Sequence, residues 1–259
     1  MAARADSFPQ ICMNTVLRLI NYLRFSHLDS AHFGSSYEER ERFNTAVFIS
    51  PKHDFLFTKN EKCGSNTARM TLQHLAAQRP LPSNFRDVNR WTAPMLQPSD
   101  MKLRRVEDLN EMVPFKFAIV RNPYARLLSC YLSKFAGRPK PNLGKRLGTH
   151  AALSFPDFVA RVCRQAPLEM DPHWRIQHFN IYCDRLRYDR FVKFENYEEE
   201  FNELMLRFFG RTGIHNVRKG AARAELKLAD YYTPELAQNV REKYAIDFET
   251  FGYPTELPA

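Results

Sequence analysis

Two apolar runs in this chain end in the same way. Phe55-Leu56-Phe57 and Phe115-Lys116-Phe117-Ala118-Ile119-Val120 each give way to a short polar stretch and then to a helical pattern. Short apolar runs bounded by turn residues predict buried strands. After the first comes Thr58-Lys59-Asn60-Glu61-Lys62-Cys63-Gly64-Ser65, then a helix over 66–77 with Met70, Leu72, Leu75 and Ala76 on one face. After the second comes Arg121-Asn122, with Pro123 placed where a first helical turn tolerates a missing N–H. Tyr124, Leu128, Tyr131 and Phe135 repeat at helical spacing and are expected in the core, with Arg126, Ser129 and Ser133 on another face.

The rest of the chain supplies the frame. The pattern predicts a helix over 11–25, a polar loop over 28–44, and a strand at Ala46-Val47-Phe48-Ile49 pairing with Phe55-Leu56-Phe57. Residues 79–113 read as irregular with short helices, and 137–148 as a basic loop. Ser154 should cap a helix running to about Arg164. A third strand lies over 190–195, a helix over 197–209 ends at Gly210, and a last helix spans 234–244. Alternating strands and helices predict an α/β domain over 45–259 with a mainly parallel sheet flanked by helices, and an extension over 1–44 packed on it.

In such sheets ligands bind beyond the carboxyl ends of the strands, so the two turns should converge. Helix N-termini present free N–H groups to anions. Lys62 adds a point charge, Gly64 lets backbone approach closely, and Ser65, Asn66 and Thr67 add polar groups. Arg121 and Ser129 could hold a second phosphate, with Arg126 either assisting or pairing with a carboxylate. The pair of turns suggests a ligand with phosphates at both ends. For either segment alone, an ordinary capped turn is the alternative.

Composition narrows the partners. Lys and Arg number 38 against 29 Asp and Glu, a net charge of +9 that favours anionic ligands or marks a generally basic enzyme. The aromatics follow helix and strand periodicity, which disfavours a nucleic-acid stacking platform. Five cysteines, an odd number without metal-ligand spacing, fit reduced thiols in the cytoplasm, with Cys130 and Cys163 in the core. No run approaches the roughly 18–20 apolar residues of a membrane span. The apolar stretch at 11–20 is broken by Asn14 and Arg18; an amphipathic helix there should pack on the domain, with peripheral membrane contact as the alternative.

Val120-Arg121-Asn122-Pro123-Tyr124-Ala125-Arg126-Leu127-Leu128-Ser129-Cys130-Tyr131 resembles the 3′-phosphate-binding motif of sulfotransferases. Lys62-Cys63-Gly64-Ser65-Asn66-Thr67 resembles their 5′-phosphosulfate loop, although Cys63 and Asn66 depart from its usual residues. Asp171-Pro172-His173-Trp174-Arg175-Ile176-Gln177 is similar to a segment of the chondroitin 4-O and HNK-1 type carbohydrate sulfotransferases. So are Tyr188-Asp189-Arg190-Phe191-Val192-Lys193-Phe194-Glu195 and the closing Asp247-Phe248-Glu249-Thr250-Phe251-Gly252-Tyr253. The resemblance implies a P-loop-like sulfotransferase fold and the co-substrate 3′-phosphoadenosine 5′-phosphosulfate (PAPS). It implies no metal, and a carbohydrate or glycolipid acceptor. Animal relatives carry an N-terminal membrane anchor, so a soluble bacterial member is expected here.

On that resemblance Lys62 and the turn Cys63, Gly64, Ser65, Asn66 and Thr67 hold the phosphosulfate, while Arg121, Ser129 and Arg126 hold the 3′-phosphate. His173 is the first candidate for general base; a packing or sugar-stacking pair with Trp174 is its alternative. His74, Glu107 and Asp108 are weaker candidates. Arg218-Lys219-Gly220 resembles a phosphate-touching lid, against a solvated basic loop. The loops at 79–113 and 137–152 are expected to line the acceptor site. A P-loop kinase and a polyanion-binding module are the competing functions; no Walker sequence is present to favour the first.

Overall fold

A computed structural model describes residues 36–78 and 95–258, apart from 102, 104, 138 and 213–223. Helix α1 (Tyr37–Ala46) leads into strand β1 (Val47–Ser50), and β2 (Phe55–Thr58) returns antiparallel beside it. Helix α2 (Ser65–Ala76) follows the first turn, and α3 (Asp108–Met112) precedes β3 (Phe115–Val120). Then come α4 (Pro123–Lys134), α5 (Pro141–Arg146), α6 (Phe155–Arg164), α7 (Gln177–Asn180) and β4 (Arg190–Lys193). Helices α8 (Tyr197–Phe209), α9 (Leu228–Tyr231), α10 (Pro234–Lys243) and α11 (Ala245–Phe251) complete the fold. Strand order is β1-β2-β3-β4, with β2, β3 and β4 mutually parallel.

Both faces of the sheet are covered, which is why its strands read as continuous apolar runs. Phe55, Phe57, Phe117 and Ile119 point to a core shared with Ala68 and Leu72 of α2 and with Phe201 and Met205 of α8. Ala118 and Val120 point the other way, into a larger core with α4, α6, α10 and α11. Lys116 interrupts β3 because its ammonium is satisfied internally: Nζ donates to the carbonyls of Val113 (2.7 Å) and Asn110 (3.3 Å). The expected core positions Tyr124, Leu128, Tyr131 and Phe135 are all buried.

Two expected loops are helical. Residues 37–46 form α1, where Ser36 accepts from the Glu39 N–H and Phe43 is fully buried. The basic segment after Gly137 contains α5, started by Pro141 at a first-turn position. Cys130 is fully buried as expected, whereas Cys163 is only partly so and packs at the edge of the same core. The anticipated helix at 11–25, most of the extension over 1–44, and Arg218 and Lys219 lie outside the described residues. Among the described residues no helix is long and apolar enough to cross a membrane.

Candidate functional site

The first turn leaves the carboxyl end of β2 and enters α2 through left-handed backbone. Lys62 has φ 71° and Gly64, the N-cap of α2, has φ 69°. A Cβ on Gly64 would lie 2.9 Å from the Phe194 ring, so glycine is required by both conformation and space. Inside the turn, the Ser65 hydroxyl accepts from the Asn60 N–H (3.0 Å) and donates to the Asn60 carbonyl. The Cys63 side chain is fully buried, and burial pushes its thiol up to about 12. Ser65 and Cys63 therefore shape the turn with their side chains. Backbone N–H groups at the start of α2, Lys62 and the exposed Asn66 remain on its outer side.

The second turn leaves β3, the strand parallel to and paired with β2. Asn122 caps α4 by accepting from the N–H groups of Tyr124 (3.0 Å) and Ala125 (3.4 Å). Its own N–H donates to Glu195 Oε1 at 2.8 Å; the strand expected over 190–195 ends at Lys193, and the single helical turn Phe194–Asn196 that follows it helps to hold the Asn122 turn. Arg121 is buried, with its guanidinium 4.5 Å from the centre of the Phe194 ring. Arg121 Nη1 donates to the Lys62 carbonyl at 2.9 Å, and Nε donates to Glu225 Oε1 at 2.7 Å. Ser129 lies two turns into α4, buried, and its hydroxyl makes no hydrogen bond to another described residue.

The two turns are thus joined directly, as their strand ends imply. Lys62 Nζ donates to the Ser133 hydroxyl on α4 at 2.7 Å. Burial lowers the Lys62 pKa, and the nearby Arg121 charge adds to the effect, whereas the Cys130 thiol on α4 opposes it. One further residue joins both turns and was not expected to matter. Gln177 at the start of α7 is fully buried; its Oε1 accepts from Asn60 Nδ2 (3.0 Å), Cys63 Sγ (3.3 Å) and the Arg121 N–H (3.0 Å). Its Nε2 donates to the Arg121 carbonyl at 2.8 Å. Asn60, also buried, donates to the Ile119 carbonyl (3.1 Å) and accepts from Asn180 (2.9 Å).

Arg126 has a different role from the expected phosphate contact. It is 1% exposed, and its guanidinium donates to three carbonyls: Glu61 (2.9 Å), Pro172 (2.9 Å) and Arg175 (2.7 Å). Those donors tie the first turn to the 171–175 loop and leave the side chain a structural bracket. His173 sits on that loop, next to Pro172. Its Nδ1 lies 2.6 Å from Asp171 Oδ1, and its N–H donates to the same oxygen at 3.1 Å. Burial alone would raise the Asp171 pKa, but the His173 hydrogen bonds and the Arg146 charge hold it below the usual value. Trp174 parts company with His173: it is fully buried against Phe135 and Phe158 and donates to Gln165 Oε1 at 2.8 Å.

Of the weaker base candidates, Glu107 is ion-paired with Arg185 and Asp108 accepts from the Arg105 N–H. His74 lies in the last turn of α2, away from its N-terminus. Arg146, from the expected acceptor segment, reaches Asp171 Oδ2 at 3.4 Å and so brings that segment to the His173 loop.

Comparison with known proteins bears on this arrangement. A family model described as sulfotransferase family matches residues 45–254, spanning both turns, the His173 loop and the closing helix. The chain belongs to the sulfotransferase family. Its four-stranded, mostly parallel sheet flanked by helices is consistent with the sulfotransferase fold. It is similar to human carbohydrate sulfotransferase 14, 26% identical over 210 residues that cover 66% of this chain and 55% of the relative. Rat carbohydrate sulfotransferase 11 is 27% identical over 166 residues, 53% of this chain and 46% of the relative. Mouse carbohydrate sulfotransferase 8 is 23% identical over 248 residues, 82% of this chain and 57% of the relative. The chain spans about half the length of the curated relatives it matches. No solved structure matches it.

Proposed function

We propose that this sulfotransferase family member moves a sulfuryl group from PAPS to a hydroxyl of a carbohydrate or glycolipid. The observation that carries the reading is the joining of two cation-bearing strand–turn–helix segments at the ends of adjacent parallel strands. The residues fit a donor with phosphates at both ends. Lys62 and the α2 N-terminus face one end; Arg121 and the unspent, nearly buried hydroxyl of Ser129 suit the other. PAPS supplies an activated sulfuryl group and a leaving phosphate, chemistry that depends on placement and charge stabilisation.

Each residue then has a defined task. Lys62 and the amides at the start of α2 neutralise charge growing on the oxygen released from sulfur. Arg121 and Ser129 fix the 3′-phosphate. The Asp171 carboxylate accepts from His173 Nδ1–H, which leaves Nε2 as the acceptor able to take the proton of the attacking hydroxyl. As that proton leaves, the acceptor oxygen bonds to sulfur and the sulfur–phosphate oxygen bond breaks. Arg146 and the basic residues near it suit an acidic glycan on the His173 side.

The test uses labelled PAPS with a panel of glycans, alongside retention on immobilised adenosine 3′,5′-bisphosphate. Retention on that matrix but not on ATP is expected. Lys62→Ala and Arg121→Ala should each cut transfer by about 10²-fold or more while the protein stays folded. Full activity in either variant removes that residue's task, and retention on ATP alone favours a kinase.

A further inference from the structure

Arg121 already holds an anion. Its Nε and Nη2 both donate to Glu225 Oε1, and this is the forked edge that chelates a phosphate or carboxylate. Nη1 is occupied by the Lys62 carbonyl, and the Phe194 ring covers a face of the guanidinium. We propose that Glu225 is an internal competitor for the phosphate position of Arg121, so that its carboxylate sets donor affinity and selects for ligands carrying a 3′-phosphate. The proposal rests on the donor reading given above and adds a specificity residue to it.

The two partners differ in what they lose on separation. The Arg121 side chain is 4% exposed and the Glu225 side chain 36%. A buried guanidinium without an anion is strongly disfavoured, whereas a carboxylate a third in water returns to solvent at small cost. The backbone carrying Glu225 is pinned: it lies in a single helical turn, Ala224–Lys227, with Ala224 and Leu228 buried on either side of it. The carboxylate therefore leaves Arg121 by side-chain rotation, without rebuilding the turn. Only an incoming anion can replace it and keep Arg121 neutralised. A phosphate brings up to two charges and several acceptor oxygens against one carboxylate, so it wins; a ligand with a bare 3′-hydroxyl does not.

Competition of this kind raises the apparent dissociation constant by the inverse of the fraction of molecules in which Arg121 is open. The test is calorimetric titration of wild type, Glu225→Gln and Glu225→Ala with adenosine 3′,5′-bisphosphate and with adenosine 5′-monophosphate, each protein first checked for folding by circular dichroism. The expected result is that both variants bind the bisphosphate about five- to tenfold more tightly, with monophosphate binding unchanged. Should one variant fail to fold, the other carries the comparison. Equal or weaker bisphosphate binding in a folded variant would overturn the proposal and make Glu225 a support for Arg121. No bisphosphate binding by folded wild type and variants would overturn the donor reading itself, and this proposal with it.

Discussion

Gly64 carries two constraints at once. Its backbone is left-handed, and its missing side chain admits the Phe194 ring that also lies against Arg121. Gly64→Ala places an L residue in a conformation that costs about 1–2 kcal/mol and presses on that ring. Urea unfolding should therefore show a loss of about 1–3 kcal/mol, and binding of adenosine 3′,5′-bisphosphate should weaken with it. Unchanged stability would mean that neither the left-handed backbone nor the ring constrains this position. The glycine, the lysine beside it and the arginine were legible in the chain because their signals are local: a strand end, a turn residue, a helix start. The role of Arg126 was not. Its position inside the segment that resembles a 3′-phosphate motif suggested an anion, but its three acceptors are carbonyls brought in from positions 61, 172 and 175. Trp174 was equally opaque, since only the packed molecule shows that it turns fully inward while His173 stays partly exposed.

The helix most responsible for the second turn is α4. Its N-cap satisfies two backbone N–H groups immediately after Arg121, so the order of the cap and the position of the arginine are linked. Asn122→Ala should lower stability by about 0.5–2 kcal/mol, measured by urea unfolding, and reduce bisphosphate affinity more than a cap at a remote helix would. Ser154→Ala at the start of α6 is the control, with similar loss of stability and unchanged affinity. At this scale most strands and long helices could be read from apolar period and caps. Helix α1 reads as a loop because half of its residues are charged and its apolar period is weak. What holds it is remote: Phe43 enters a core beside Tyr182, and Glu39 forms a two-pronged ion pair with Arg175. Such partners are invisible in a window of ten residues.

Across the molecule, buried carboxylates make stability depend on pH in two opposing ways. Burial raises Asp247 from 3.8 to about 6, although the N–H groups of Gln177 and His178 oppose the rise. The folded chain then binds that proton more tightly than the unfolded one. Its stabilising contribution is complete below about pH 4 and is lost as pH rises through about 6. Asp171 and Glu39 are lowered, against the effect of burial, by His173 and Arg175 respectively; their contribution is present above the unfolded pKa and is lost as pH falls. In urea unfolding between pH 4 and 7, Asp247→Asn should gain on wild type as pH rises, by on the order of 3 kcal/mol at most. A constant difference would place the pH dependence elsewhere. The same region holds Gln177, whose amide oxygen and nitrogen bind groups 114 to 117 residues away in the first turn and 56 away in the second. Its amide can point only one way, because reversing it would set donors against donors at Asn60 and at the Arg121 N–H, and an acceptor against the Arg121 carbonyl. For a descendant of this gene, then, the side chains at 60, 63 and 177 are a single hereditary unit, whereas position 121 enters it through its backbone alone: a first turn transplanted from a cousin would have to bring its distant partner with it.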